Sequence, residues 1–179
     1  MPNSSNMPIL FFLLPTATLL FVAYAFHRRK PKQTNLVLYV HDYFSGDDAS
    51  AVTVAGKLGA ASNILQFGTV AVVDDVVTER PEVDSKVIGR AQGLYINSAL
   101  DGMALYMVFS VTLTEGQFKG STLEIQGADP FKLKEREFGV VSGTGFFRFA
   151  KGYGIMETQH LDVATLRAII KLNLTIRHE

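Results

Sequence analysis

Leu166-Arg167-Ala168-Ile169-Ile170-Lys171-Leu172-Asn173-Leu174-Thr175-Ile176-Arg177 alternates almost throughout. Ala168, Ile170, Leu172, Leu174 and Ile176 fall on one side; Ile169, Lys171, Asn173, Thr175 and Arg177 fall on the other. Successive side chains of a strand point to opposite faces, so a period of two with one apolar side means core on that side and water on the other. The segment predicts a half-buried strand of an antiparallel sheet.

Upstream, the same composition recurs. Runs rich in Val, Ile, Leu, Phe and Tyr at 36–43, 67–77, 86–95, 104–112, 121–126, 137–141 and 146–154 each predict a strand. All 15 glycines lie between Gly46 and Gly154 and punctuate these runs. Ser45-Gly46-Asp47-Asp48 reads as a turn, and Thr114-Glu115-Gly116-Gln117-Phe118-Lys119-Gly120 as a hairpin connection with glycine available for positive φ. No stretch sustains a helical period. About eight antiparallel strands in an open sheet would leave long unpaired edges. The expectation is therefore all-β: an eight-stranded antiparallel up-and-down β-barrel with a central cavity for one small ligand.

A chain of 179 residues fits one such domain. With 17 Lys+Arg against 17 Asp+Glu it lacks the basic excess that phosphate-backbone binding needs, which argues against nucleic acid as a partner. The absence of cysteine removes disulfides, thiolate nucleophiles, Cys-bound zinc and iron–sulfur clusters together. His27, His41, His160 and His178 offer no pair at metal-ligand spacing, and no HExxH occurs. Neither GxSxG nor GxxxxGK[ST] is present. Gly143-Thr144-Gly145 runs into strand-like residues and reads as a turn rather than a dinucleotide loop.

The apolar content is uneven. Residues 9–26 carry no charge, Ala23-Tyr24-Ala25 supplies a small-x-small cleavage pattern, and His27-Arg28-Arg29-Lys30-Pro31-Lys32 follows at once. The organisation predicted is a signal peptide over 1–25, a short basic linker over 26–35 and the barrel over 36–179, giving a secreted chain without stable membrane insertion. The alternative is a membrane anchor, because a run of this length can just span a bilayer; Pro15 in its middle disfavours a spanning helix. Asn173-Leu174-Thr175 is an N-glycosylation acceptor on the polar side of the last strand. Asn3-Ser4-Ser5 also fits but would leave with the signal.

What remains for chemistry is a set of acids and an arginine near strand ends. His41-Asp42 closes the first strand, Asp74-Asp75 sits late in the next apolar run, and Asp129 precedes Arg136 across a turn. Only one residue of each neighbouring pair can point inward. A carboxylate inside an apolar barrel has its pKa raised by desolvation, which fits it for proton transfer near neutrality. Asp47, Asp48, Asp84, Asp101 and Asp162 read instead as caps of their own turns. On composition alone Tyr95 and Tyr106 read as core more often than as ligand platform, and Arg136 and Arg148 read as solvated charges of the barrel rim.

Six blocks give these residues a context. Leu38-Tyr39-Val40-His41-Asp42, Phe67-Gly68-Thr69-Val70 with Val73-Asp74-Asp75, and Gly89-Arg90-Ala91-Gln92-Gly93-Leu94-Tyr95 resemble, in order, blocks of the plant dirigent family. So do Phe118-Lys119-Gly120-Ser121-Thr122-Leu123, Gly127-Ala128-Asp129-Pro130 and Ser142-Gly143-Thr144-Gly145-Phe146-Phe147-Arg148. The resemblance covers essentially all of 36–178. It implies a secreted, usually trimeric eight-stranded barrel, similar to allene oxide cyclase, that binds plant phenolics in an aromatic-lined cavity and uses no cofactor.

Two chemistries divide the family. Some members steer phenoxyl radicals, made by a separate oxidase, into one-handed lignans; others, the pterocarpan synthases, dehydrate an isoflavanol and close a ring through a quinone methide. Residues 136–148, with Ser142 before the Gly-Thr-Gly turn, resemble the second group more closely, so the expected activity is that of a hydro-lyase acting on an isoflavonoid. The resemblance makes Asp42, Asp129 and Arg136 the expected catalytic residues. Tyr95, Asp74, Tyr106 and Phe147 are the expected substrate contacts. The alternative kept beside it is a non-catalytic guide of radical coupling.

Overall fold

The computed structural model describes residues 31–56 and 64–179. The expected signal peptide, its cleavage site and the Asn3 acceptor lie outside the described residues. Nine strands run in chain order: β1 (Lys32–Tyr43), β2 (Ala51–Ala55), β3 (Val70–Thr78), β4 (Val87–Asn97), β5 (Leu105–Leu113), β6 (Thr122–Asp129), β7 (Arg136–Gly143), β8 (Lys151–Asp162) and β9 (Arg167–His178).

The sheet order is β1-β9-β8-β7-β6-β5-β4-β3-β2, and β1 also pairs with β3. Tyr39, Val40 and His41 lie opposite Thr78, Val77 and Val76, which closes β1 and β3–β9 into the expected eight-stranded antiparallel barrel. Closure leaves those strands no free edge. One edge of β3 is shared: β1 takes its C-terminal part and β2 its N-terminal part, with Ala51 opposite Val73 and Val52 opposite Val72.

The alternation of β9 sets the inner face. Leu172, Leu174 and Ile176 are fully buried, while Asn173 and Arg177 are exposed. Facing strands add Leu38, Val40, Met107, Val111, Ile125 and Val140 to the same core.

Several elements differ from the sequence reading. β1 begins at Lys32, inside the expected linker, because Lys32, Gln33, Thr34 and Asn35 pair with His178, Arg177, Ile176 and Thr175 at one end of the barrel. β2 was not foreseen; five residues with Val52 and Val54 both exposed carry no alternating signal. The strand expected over 146–154 starts only at Lys151, because Gly145–Phe147 forms a 3-10 turn. Neighbours on a strand would point apart, whereas the turn brings Phe146 and Phe147 into one cluster with Phe118 and His178. That cluster lies by the Lys32–His178 pairing, at the opposite end of β1 from Asp42, which pairs with Ala168.

Candidate functional site

A cavity of about 50 Å³ opens inside the barrel. Asp42, Asp75, Tyr95 and Asp129 bring polar groups to it, and Met107, Phe109, Met156, Ile170 and Leu172 bring apolar ones. Each acid is on the inward parity of its strand: Asp42 follows Leu38 and Val40, Asp75 follows Ala71 and Val73, and Asp129 follows Leu123 and Ile125.

Tyr95 donates its hydroxyl to Asp42 Oδ2 at 2.8 Å. Asp42 Oδ1 is buried and has no hydrogen-bond partner among the described residues. Burial pushes the Asp42 carboxyl up to about 6; the Tyr95 bond pulls it down and the charge of Asp129 pushes it further up. Asp75 is 3% exposed. Burial and then the charge of Asp42 push its carboxyl up to about 8, against the pull of the Ser50 hydroxyl.

Arg136 Nε donates to Asp129 Oδ1 at 2.8 Å, and Arg136 Nη2 donates to Thr158 Oγ1 at 3.0 Å. Both members of this ion pair are buried. Burial raises the Asp129 carboxyl, and the guanidinium opposes that rise. Burial and the neighbouring Asp42 charge push the Tyr95 hydroxyl well above its ordinary value.

The structure thus brings together Asp42, Tyr95, Asp129 and Arg136 as expected, and moves three other residues elsewhere. Asp74 faces outward, where its carboxylate accepts from Arg90 Nε at 2.7 Å; its neighbour Asp75 holds the inward position. Tyr106 lies on the outer face, bonded to Gln126. Phe147 is fully buried in the aromatic cluster at the far end and does not line the cavity. Asn173 is exposed on the outer face of β9. Among the turn acids, Asp101 accepts from Met103 N and Asp162 from Ala164 N, while Asp48 pairs with Arg167.

Asp75 is the site residue the sequence reading missed. The usable signal was on the next strand: Arg90 and Gln92 are polar and face outward, and Asp74 lies directly opposite Gln92.

The sequence model of the family described as dirigent-like protein matches residues 33–177. The chain belongs to the dirigent family. Dirigent protein 11 of Arabidopsis thaliana is 43% identical over 86% of this chain and 79% of its own length. Pterocarpan synthase 1 of Glycyrrhiza echinata is 39% identical over 84% of this chain and 80% of its own. The solved structure of the pterocarpan synthase dirigent protein GePTS1 superposes with a TM-score of 0.79 at 39% identity, covering 84% of this chain and 87% of that one.

This dirigent barrel thereby sets three acids with different environments around one apolar cavity, and family membership makes a phenolic small molecule its ligand class. A carboxyl near 8 is mostly protonated at neutral pH and one near 6 mostly ionised. The Asp129 charge is offset by Arg136. Such a set places carboxyls of differing acidity around one cavity.

Proposed function

We propose that the chain dehydrates an isoflavanol and closes the ring intramolecularly to a pterocarpan through a quinone methide. The observation that carries this reading is the buried Asp42 Oδ1, without a hydrogen-bond partner among the described residues, beside an apolar cavity that Asp75 also lines. An unpaired buried acceptor is costly unless a ligand satisfies it, and a phenol hydroxyl does so.

The steps balance without an oxidant. Asp75 gives its proton to the benzylic hydroxyl, whose C–O bond breaks to release water. The phenol conjugated with that carbon gives up its proton to Asp129, whose neighbour Arg136 stabilises the charge passing through the phenolate. The second phenol attacks the resulting quinone methide, forms the ether bond and passes its proton to Asp42, while the first phenol regains its own from Asp129. Transfer from Asp42 to Asp75 resets the pair. Each proton transfer contributes about 10²–10⁴-fold. Tyr95 holds Asp42 in place, and the apolar residues Met107, Phe109 and Met156 keep water from the quinone methide.

A second reading has its own support, since dirigent protein 11, not named as an enzyme, matches at 43% identity. Under it the cavity only orients two oxidase-made monolignol radicals during lignan formation. Two incubations separate the readings. Pterocarpan formed from an isoflavanol above the spontaneous rate, with no oxidase, supports dehydration; a one-handed lignan formed only with oxidase and monolignol replaces it. We also propose secretion and a homotrimer, which the dirigent resemblance implies, and glycosylation at Asn173, whose sequon is exposed on the outer face of β9. Light scattering and mass spectrometry of the protein secreted by plant cells test all three.

A further inference from the structure

We propose that Ser50 is a positioning residue for proton delivery: its hydroxyl pins Asp75 Oδ1 and so keeps the acid's proton on Oδ2. The inference rests on the dehydration reading for its catalytic meaning and on geometry for its existence.

Ser50 sits where the edge of β3 changes partner. β1 has left that edge after His41, opposite Val76, and β2 joins it only at Ala51, opposite Val73. Between them, Asp74 N–H donates to the Ser50 carbonyl at 2.9 Å, and Ser50 N–H donates to the Tyr43 carbonyl at 2.8 Å. Tyr43 N–H donates to Ser50 Oγ at 3.2 Å, and Ser50 Oγ donates to Asp75 Oδ1 at 2.6 Å. A residue bonded through its backbone to two strands, with its hydroxyl oxygen already accepting, has a fixed direction left for its proton. The His41 carbonyl is the other acceptor within reach, at 3.4 Å, and is the weaker one.

The segment carrying Ser50 is itself strapped down. Arg167 donates to the Ser45 carbonyl at 2.6 Å and to both Asp48 oxygens at 2.7 and 2.8 Å, and its guanidinium carbon stands 3.6 Å from the centre of the Tyr43 ring. The hydroxyl therefore does not have to find Asp75 afresh in each turnover.

The consequence is chemical. A hydrogen bond to the ionised carboxylate favours that form, so Ser50 opposes the rise that burial imposes and makes Asp75 a stronger acid than its surroundings alone would allow. The other charges acting on Asp75 are Asp42 of β1, Arg90 of β4 and the neighbouring Asp74, the last two on the outer face, while Tyr95 of β4 and Asp129 of β6 line the same cavity.

The test is a carboxyl-carbon NMR titration of Asp75 in the whole protein without substrate, in wild type, Ser50→Ala and Ser50→Thr. The Asp75 midpoint should rise by about one pH unit in Ser50→Ala and return in Ser50→Thr, which keeps the hydroxyl. An unchanged midpoint in a folded Ser50→Ala, or a rise in Ser50→Thr equal to that in Ser50→Ala, overturns the proposal. Should Ser50→Ala not fold, Ser50→Thr and an Arg167→Ala variant that frees the segment carry the comparison: the midpoint must stay in the first and rise in the second. The titration uses no substrate, so its failure removes Ser50 alone. A normal titration with no turnover of isoflavanol removes the reaction and leaves the Ser50 contact standing.

Discussion

Asp129 and Arg136, at opposite ends of the connection between β6 and β7, form an ion pair of 2.8 Å whose side chains are only 7% and 3% exposed. Removing one partner of a buried pair strands the other charge, at a cost of about 3–5 kcal/mol. Arg136→Met should therefore lower stability by that amount in urea unfolding. The double variant with Asp129→Asn should recover much of the loss, because no charge is then left uncompensated. Equal losses in single and double variants would show that packing of the guanidinium dominates.

Stability should also fall with rising pH through the acid cluster. A carboxyl raised in the folded state binds its proton there when the unfolded chain has released it, so its stabilisation is complete below the unfolded value near 3.8 and is gone once pH passes the folded value, about 6 for Asp42 and about 8 for Asp75. Burial lowers the His41 pKa and acts with the opposite sign, adding stability as pH rises toward 6.5. The difference between wild type and Asp75→Asn isolates one group. It should slope by about 1.4 kcal/mol per pH unit between roughly pH 4 and 8 and be flat above, measured by urea unfolding across that range.

That prediction concerns the acid the sequence least revealed. The inward residues of β3 are Ala71, Val73, Asp75 and Val77; the outward ones are Val70, Val72, Asp74 and Val76. Each face carries three apolar residues and one Asp, so alternation cannot choose between them, and a slip of one residue exchanges the two acids. β9 has no such symmetry, and its inner residues were legible at once. Asp42 and Tyr95 were legible as residues but not as partners, since their hydrogen bond joins positions far apart in sequence and depends on closure of β1 onto β3. Phe147 was misread for a local reason: the backbone turns at Gly145, with φ of 60°, before a strand can form.

Tyr95→Phe removes the donor to Asp42 Oδ2 and leaves a buried carboxylate with both oxygens unpaired. The ionised form is then less favoured, and the Asp42 pKa rises. The rising limb of a kcat–pH profile for dehydration should move to higher pH, with a fall of about tenfold at neutral pH. An unmoved limb would mean that Asp42 does not work as the ionised base.

Gly93 lies directly opposite Phe109, a cavity residue. A Cβ added there would stand 2.5 Å from Phe109 Cα and 2.6 Å from Phe109 Cβ, closer than real atoms approach. Gly93→Ala should lower stability by about 1–3 kcal/mol and raise KM as Phe109 moves into the cavity. Thermal unfolding and steady-state kinetics read the two effects separately.

The most direct test of the account is the rate of pterocarpan formation from an isoflavanol, without oxidase, by wild type and Asp42→Asn side by side. The account predicts catalysis by wild type and a loss of about 10²–10⁴-fold in the variant, with fold and ligand binding kept. Full activity in Asp42→Asn, or no activity above the spontaneous rate in wild type, would contradict it.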